Sequence, residues 1–562
     1  MEDPLKRALL LFALQNAVRH QSIPKAGAVI GMVMGRYPEM KPRAREATIL
    51  VKEVIEEVSA LSPVEQAARL QSMAPELVEE MARPREQVRQ LPDLEKSGQG
   101  VVMRFAPNPS GPLHLGHARA AVLNDAYVRR YGGRYILRIE DTDPKRVDPQ
   151  AYSMVREDIE WLDLAISDIV YQSDRFDIYY QYGEDLIRRG GAYVCTCDNE
   201  RFKAMKLAKK ACPCRGKSIE ENLDSFGKMR EGEYDEGEAT LRVRTDLDHP
   251  DPAMRDYPAF RILKSPPHPR MDACLYPLMN FSVAVDDHDL GITHVIRGKD
   301  HIANTRRQRY IFDYFGWEPP VYRHYGRMGI EGVVLSTSQM RAGIAAGEFQ
   351  GWDDIRLGTL RAMARRGIKP KAVREAVLDI GIGETDISFS WENLFARNKA
   401  LVDPLASRYF FVPDPVAMKI QDAPPHVAQA LVHPGHPEKG TRALHFTGEV
   451  LLPREDLEKS HGLIRLKDLF NIEVAGEGVS VSAQYAGDSL ADARLRKAPI
   501  IQWLPAGGCV CCTLVTPSGN RMGACEPGVV GEKGEVVQFE RIGFARIDTV
   551  TPEGIIAYFT HR

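Results

Sequence analysis

The sequence predicts a multidomain α/β protein: a Rossmann-like parallel-sheet domain with an inserted subdomain, a helical domain before it and all-β barrels after it. Three observations carry this. A chain of 562 residues fills roughly four domains at ~150 residues each, ample for several cores. From 101 to about 190, strand-like and helix-like stretches alternate, the pattern of a parallel sheet with crossover helices whose strand ends hold ligands. From Asn398 onward short strands with turn signals take over, among them Leu444 to Thr447, Ile500 to Leu504, Thr516-Pro-Ser-Gly519 and Phe539 to Asp548, as in β-barrels.

Composition removes several classes. Apolar content of 44% and charged content of 27% are those of a soluble globular protein, and no apolar run approaches the ~18 residues that a membrane helix needs. Met1-Glu-Asp-Pro4 is acidic and the run Ala8 to Leu14 is too short for an export signal, so the expected compartment is the cytoplasm, with no membrane partner. A net charge of −3 excludes a uniformly basic coat; any nucleic-acid contact must use local basic faces. No internal repeat or low-complexity tract is present.

Residues 1–81 carry helical periodicity. Ala44, Ala47, Leu50, Val54, Ile55, Val58 and Leu61 fall on one stripe, and Ser62-Pro63-Val64-Glu65 holds a capping-box pair with proline at the first helical position. Residues 82–100, rich in Arg, Glu, Gln, Pro and Gly, read as a linker, with a solvated exposed helix as the equal alternative.

The stretch Phe105-Ala-Pro-Asn-Pro-Ser-Gly-Pro-Leu-His-Leu-Gly-His117 follows a buried-strand pattern from Val101 and precedes a helical one from Ala118 to Tyr131. Its prolines and Gly111 force a turn. Two histidines then open a helix whose positive end attracts phosphate, and Gly116 lets a flat base lie against the backbone. The pattern points to a nucleotide-phosphate site at Ala106, Pro107, Asn108, Gly116, His114 and His117. Surface or capping histidines are the bland alternative. Arg138-Ile139-Glu140 closes the next strand at the same rim, where Glu140 can meet a cationic group or be an ordinary strand-end acid.

Arg104-Phe-Ala-Pro107, His114-Leu-Gly-His117 and Arg138-Ile-Glu-Asp-Thr-Asp-Pro144 resemble the class I aminoacyl-tRNA synthetases that activate glutamate or glutamine. Over about 101–562 the chain is most similar to their archaeal-type glutamyl branch. The resemblance implies a catalytic domain in two halves, 101–190 and 271–345, around an acceptor-end-binding subdomain at 191–270. A helical stem-contact subdomain at 346–397 and two anticodon-binding barrels at 398–562 follow. It also implies that Glu140 contacts the α-amino group of the amino acid and that Arg104 binds its carboxylate side.

In the insertion, Cys195-Thr-Cys197 and Cys212-Pro-Cys214 form two close pairs whose spacing suits tetrahedral zinc, against free reduced thiols as the competing reading. Such a knuckle would hold Lys203, Lys206, Lys209 and Lys210 against phosphates. Some relatives carry a zinc knuckle there. Cys509, Cys511, Cys512 and Cys525 are irregularly spaced in strand-like sequence and read as core thiols.

The stretch Tyr276-Pro-Leu-Met-Asn280 and the run Val283 to Asp300 resemble the second half of the catalytic sheet. In glutamyl enzymes an arginine at the position of Arg297 binds the γ-carboxylate, and residues at the positions of Tyr276 and Asn280 shape the pocket. A guanidinium pairs bidentately with a carboxylate, whereas a neutral amide does not repay its desolvation. A structural ion pair of Arg297 with Asp286, Asp287 or Asp289 remains the alternative.

The second signature loop of this class falls at Val334-Leu-Ser-Thr-Ser338 and departs from the general pattern by lacking lysine. Ser336, Thr337 and Ser338, with Arg327 or Arg341 for charge, are the candidates to cradle phosphate. Leu357 to Gly367 reads as a helix with Leu357, Leu360, Met363 and Ala364 inward and Arg361, Arg365 and Arg366 outward, either along an RNA stem or simply solvated.

The resemblance implies ATP-dependent ligation of L-glutamate to tRNA for glutamate through glutamyl-adenylate, with Mg2+ beside ATP, and with tRNA for glutamine an open second acceptor. The rivals are a glutaminyl ligase, which Arg297 opposes, and a non-catalytic tRNA-binding regulatory paralogue, which the lysine-free loop favours and the intact histidines oppose. The helical N-terminal domain is a candidate contact for tRNA or a protein partner.

Overall fold

Among the described residues the helical periodicity of the N-terminal region forms five α-helices: α1 (Pro4–His20), α2 (Ala26–Arg36), α3 (Ala44–Ser59), α4 (Pro63–Met73) and α5 (Pro75–Ala82). α3 buries Ala47, Val51, Val54 and Val58, spaced four, three and four apart along one helix face. Ala44, placed on that stripe by periodicity, is exposed. The face packs on Leu5, Leu9 and Ala13 of α1 and on Val29 and Val33 of α2. α4 begins on its capping box: the Glu65 amide donates to Ser62 Oγ (3.3 Å) and the Ser62 amide to Glu65 Oε2 (2.8 Å).

This computed structural model describes residues 3–20, 23–82, 91–460, 462–475 and 482–562, in two units, Met1–Gln90 and Leu91–Arg562. Part of the expected linker, 83–90, lies outside the described residues. Its last ten residues lie against the second unit instead of spanning free: Leu94 is in the core, its amide donates to the Tyr131 hydroxyl (3.0 Å), and Arg130 donates to the Leu91 carbonyl.

The second unit opens with β1 (Val102–Phe105), α6 (Leu115–Tyr131), β2 (Arg134–Ile139), α7 (Ala151–Trp161), β3 (Asp168–Tyr171) and α8 (Phe176–Arg188), a parallel sheet in the order β1-β2-β3. The chain then leaves to build a four-stranded antiparallel sheet. Its strands are β4 (Ala192–Cys195), β5 (Thr240–Val243), β6 (Pro258–Ile262) and β7 (Leu275–Pro277), with α9 (Asn199–Leu207) and α10 (Ile219–Glu231) between β4 and β5. Tyr276 therefore belongs to this antiparallel sheet, paired with Arg261, and not to the parallel one that its sequence neighbourhood resembles.

The chain returns through α11 (Met279–Asp289), β8 (His294–Gly298), α12 (Ile302–Phe315) and β9 (Val321–Tyr325), with β8 and β9 parallel. Thr293 joins this pair to the first sheet: its amide donates to the Val102 carbonyl (3.0 Å) and its hydroxyl accepts from the Val102 amide (2.9 Å). β1 and β8 are thus neighbours, and the winding direction reverses between them, the switch point where such sheets bind ligands.

After β10 (Met328–Gly329) come α13 (Thr337–Ala345), α14 (Leu360–Arg365), α15 (Pro370–Ile380), β11 (Ile387–Ser388) and α16 (Trp391–Val402). α14 is shorter than its apolar pattern suggests because Gly358 and Thr359 run extended beside the histidine motif. The Leu115 amide donates to the Gly358 carbonyl (3.0 Å) and the Leu360 amide to the Leu113 carbonyl (2.9 Å). The expected outward basic face is engaged within the protein: Arg361 pairs with Glu157, Arg365 with Asp353, and Arg366 is buried against the Phe559 and Thr560 carbonyls.

Among the described residues the C-terminal region holds two seven-stranded sheets, nested, and a two-stranded antiparallel ladder of His426–Leu431 with Thr441–Phe446. Arg408–Tyr409 and Phe411–Pro413 join four strands and a hairpin partner drawn from Val510 to His561, while the intervening chain from Pro415 to Pro505 makes the other sheet. Cys512 and Cys525 are core thiols as expected, but Cys511 is exposed and Cys509 half-buried. Among the described residues no helix is long and apolar enough to cross a membrane.

Candidate functional site

The β1 to α6 turn presents the two histidines as a stacked pair, ring centroids 3.7 Å apart. His114 caps α6: its Nδ1 accepts from the Gly116 amide (3.1 Å), and His117 Nδ1 accepts from the His114 amide (3.3 Å). An Nδ1 that accepts leaves the proton on Nε2, so each ring keeps an Nε2–H donor. Burial holds His114 at about 4. Burial, with the neighbouring His114 adding to it, holds His117 well below the ordinary histidine value. Both are neutral donors at pH 7. A Cβ on Gly116 would stand 2.9 Å from His114 Cε1, so any side chain there would have to displace the His114 ring from its cap.

Beside them is a cavity of about 250 Å³ between β1 and β8. Arg104, Ala106, Pro107, Asn108, Gly116, His117, Glu140 and Arg297 line it, which brings together most of the residues singled out from sequence. His114 sits against His117 and does not line it. Asn108 ties the turn to β2 by donating to the Glu140 carbonyl (2.9 Å), and the Glu140 amide donates to Pro107 (3.0 Å).

Charge is organised by α11. Arg138, fully buried, pairs with Asp287 (2.7 Å) and Glu140 (3.0 Å); Arg104 reaches Asp287 at 3.4 Å; Arg175 takes Asp286 (2.7 Å) and Asp289 (3.1 Å). Burial raises the Asp287 carboxyl, but Arg138 and Arg104 outweigh it and hold the group below the usual carboxylate value. All three acids offered by sequence as partners for Arg297 are engaged elsewhere. Arg297 itself is 8% exposed and has no ion-pair partner among the described residues; burial, then Arg104, lowers it to about 10. The cavity therefore holds a buried guanidinium that can receive a carboxylate.

Other sequence candidates lie outside this wall. Ser336 caps α13, accepting from the Gln339 amide (3.4 Å) and contacting Ser338 Oγ (3.0 Å). Thr337 packs its methyl near Gly111 of the histidine turn. Arg341 is held by Asp148 and the Ser110 carbonyl, which ties the loop to that turn, while Arg327 is exposed. Tyr276 is buried with its ring edge-on to Phe176 and 6.4 Å from His268. Asn280 stands in the first turn of α11, its Oδ1 buried without a partner among the described residues, next to the cavity-lining Met279. Sequence reasoning missed His301 and Tyr325 in the wall and Arg138 as the charge hub; the paired acids at Asp286 and Asp287 were the available signal.

Cys195, Cys197, Cys212 and Cys214 meet with all four sulfurs within 4.8 Å of one another. The 195–212 and 197–214 separations are 3.9 and 3.7 Å, matching the ~3.8 Å between thiolates on a tetrahedron of 2.3 Å zinc–sulfur bonds. Three of the four are buried, and the donor set fits zinc.

A model of the catalytic domain of tRNA synthetases class I (E and Q) matches residues 100–403, and models of the anti-codon binding domain of that class match 406–486 and 500–548. The chain is 63% identical over 562 residues to the glutamate–tRNA ligase of Methanoculleus marisnigri, covering all of both chains. It is 60% identical over 561 residues to that of Methanospirillum hungatei, again all of both. To that of Pyrococcus abyssi it is 46% identical, covering 99% of this chain and 100% of the relative. Family models over residues 100–403, 406–486 and 500–548, and relatives 46–63% identical along the chain, show that the chain belongs to the class I tRNA synthetases of the glutamate and glutamine group.

Proposed function

We propose that this protein ligates L-glutamate to tRNA for glutamate in two steps. One observation carries the choice of amino acid: Arg297, a buried guanidinium without a carboxylate partner among the described residues, lines the same cavity as His117 and Glu140. Glutamate places its γ-carboxylate on Arg297 and its α-amino group toward Glu140, with Arg104 on the α-carboxylate side. Tyr276 and Asn280 act on the shape of the pocket through the elements that they anchor. Ala106, Pro107, Asn108 and Gly116, which line the cavity, would hold ATP, and magnesium bound with it would offset phosphate charge.

The α-carboxylate attacks the α-phosphorus and pyrophosphate leaves. The Nε2–H donors of His114 and His117 stabilise charge on the phosphate oxygens, and Ser336, Thr337 and Ser338, at the start of α13, take the departing phosphates. The terminal ribose hydroxyl of tRNA then attacks the activated carbonyl, forming the ester and releasing AMP. No covalent enzyme intermediate is needed.

The four cysteines would hold a structural zinc ion that staples the insertion and presents Lys203, Lys209 and Lys210, all exposed, toward the acceptor end of tRNA. The cytoplasm is the expected place of work.

Charging by purified enzyme with labelled glutamate or glutamine, on each acceptor tRNA separately, tests this reading. Glutamate is expected on tRNA for glutamate, and the second acceptor reads out discrimination directly. Arg297→Gln is expected to raise the glutamate KM ~10-fold or more, because a charge-assisted pair is lost. Unchanged glutamate kinetics would sink the assignment, and glutamine charging by the wild type would reverse it.

A further inference from the structure

α12 supplies Arg297 with two neutral oxygens. Its Nη2 donates to Thr305 Oγ1 (2.6 Å) and to Gln308 Oε1 (2.9 Å). Gln308 is fully buried, and its Nε2 has no hydrogen-bond partner among the described residues. Turning the amide over would set a donor against the donor Nη2, so the observed orientation is forced. An unpaired buried amide hydrogen is destabilising, a cost that leucine or methionine in that slot would avoid. What Gln308 offers and an apolar residue lacks is one aimed, uncharged acceptor. Thr305 is braced in turn by the His301 carbonyl (3.2 Å) and His324 Nε2 (3.0 Å).

We infer that Gln308, with Thr305, is a positioning residue that fixes the Arg297 guanidinium without cancelling its charge, and thereby sets the preference for a side-chain carboxylate over an amide. The inference rests on the reading that Arg297 receives the γ-carboxylate of glutamate. A carboxylate at 308 would form the buried ion pair that Asp286, Asp287 and Asp289 are kept from making by Arg138, Arg104 and Arg175. The guanidinium would then be neutralised before substrate arrived.

The test measures KM for glutamate in tRNA charging at saturating ATP and tRNA, the glutamate-to-glutamine preference in competition, KM for ATP, and Tm. Gln308→Glu, nearly isosteric, is expected to raise the glutamate KM ~10-fold or more and to lower the preference by a similar factor, as loss of a charge-assisted pair does, with KM for ATP unchanged. Gln308→Leu keeps the charge but frees the guanidinium, so the glutamate KM rises while the preference is retained. A folded Gln308→Glu enzyme with wild-type glutamate KM and preference overturns the inference. Should that variant fail to fold, Gln308→Leu and Thr305→Val decide, and wild-type glutamate KM in both overturns it. Arg297→Gln separates the two levels: no change there removes the underlying reading, whereas an Arg297 effect without a Gln308 effect removes only the role of Gln308.

Discussion

Each histidine of the pair is specified by what its Nδ1 accepts. His114 takes the Gly116 amide and His117 the His114 amide, so a neutral ring is part of the cap and protonation breaks it. Burial moves His114 from the ordinary 6.5 to about 4. The unfolded chain binds that proton and the native one does not, so this contribution to stability is complete above 6.5 and is lost as pH falls toward 4. Asp158, raised to about 7 by burial against the pull of the Leu113 amide, acts oppositely: its contribution is complete below 3.8 and is lost as pH rises to about 7. The windows overlap, so the informative quantity is a difference between proteins. His114→Asn keeps an acceptor near the Gly116 amide and removes the titration. Its Tm is expected to fall less steeply than that of the wild type between pH 6.5 and 4, while charging drops with the lost Nε2 donor. Parallel Tm curves would show that the ring titrates normally.

At the scale of elements, the turn was legible because proline, glycine and histidine each leave a local signature. The start of α14 was not. Leu357, Leu360, Met363 and Ala364 keep helical spacing, yet the helix waits until Leu360 because two backbone hydrogen bonds to Leu113 and Leu115 hold Gly358 and Thr359 extended. Tertiary pairing overrides propensity there. Thr359, fully buried, caps the delayed helix: its Oγ1 accepts from the Ala362 amide (3.0 Å) and donates to the Trp352 carbonyl (2.6 Å). Thr359→Val deletes both bonds and is expected to cost ~1–3 kcal/mol, read as a lowered Tm in calorimetry with a raised KM for ATP, since the segment clips the histidine turn. Thr359→Ser should restore both. A Thr359→Val protein with wild-type Tm would mean that the cap contributes nothing.

Across the whole molecule, the question is how the insertion serves the cavity. β4 to β7 form their own sheet, and α11 leads from that sheet back to β8, so the cysteine knuckle is separate from the residues that line the cavity. Removing zinc with a chelator, or substituting Cys212→Ser, is therefore expected to abolish bound metal and raise the KM for tRNA several-fold, leaving the glutamate KM near its wild-type value. Metal analysis of the same samples checks occupancy. A protein that is purified without zinc and charges tRNA normally would end the zinc reading.

Motifs whose chemistry is local were readable from the sequence alone: the histidine turn, Glu140 at the end of β2, the paired cysteines, the capping box at Ser62 and the strand-rich C-terminal region. Most depend on neighbours a few residues away, where backbone geometry sets the spacing, and the cysteine pairs meet across only 17 residues. Only the tertiary structure decided which acids pair with which arginines, because Asp286 and Asp287 meet Arg175 and Arg138 across more than a hundred residues. It likewise decided that Tyr276 joins the antiparallel sheet and that Arg361, Arg365 and Arg366 face protein instead of solvent. The nesting of the last two sheets, one closed by strands from before and after the other, also has no local signal. Long-range pairing follows from which buried charges and strand edges must be satisfied at once, and no window of sequence contains both partners.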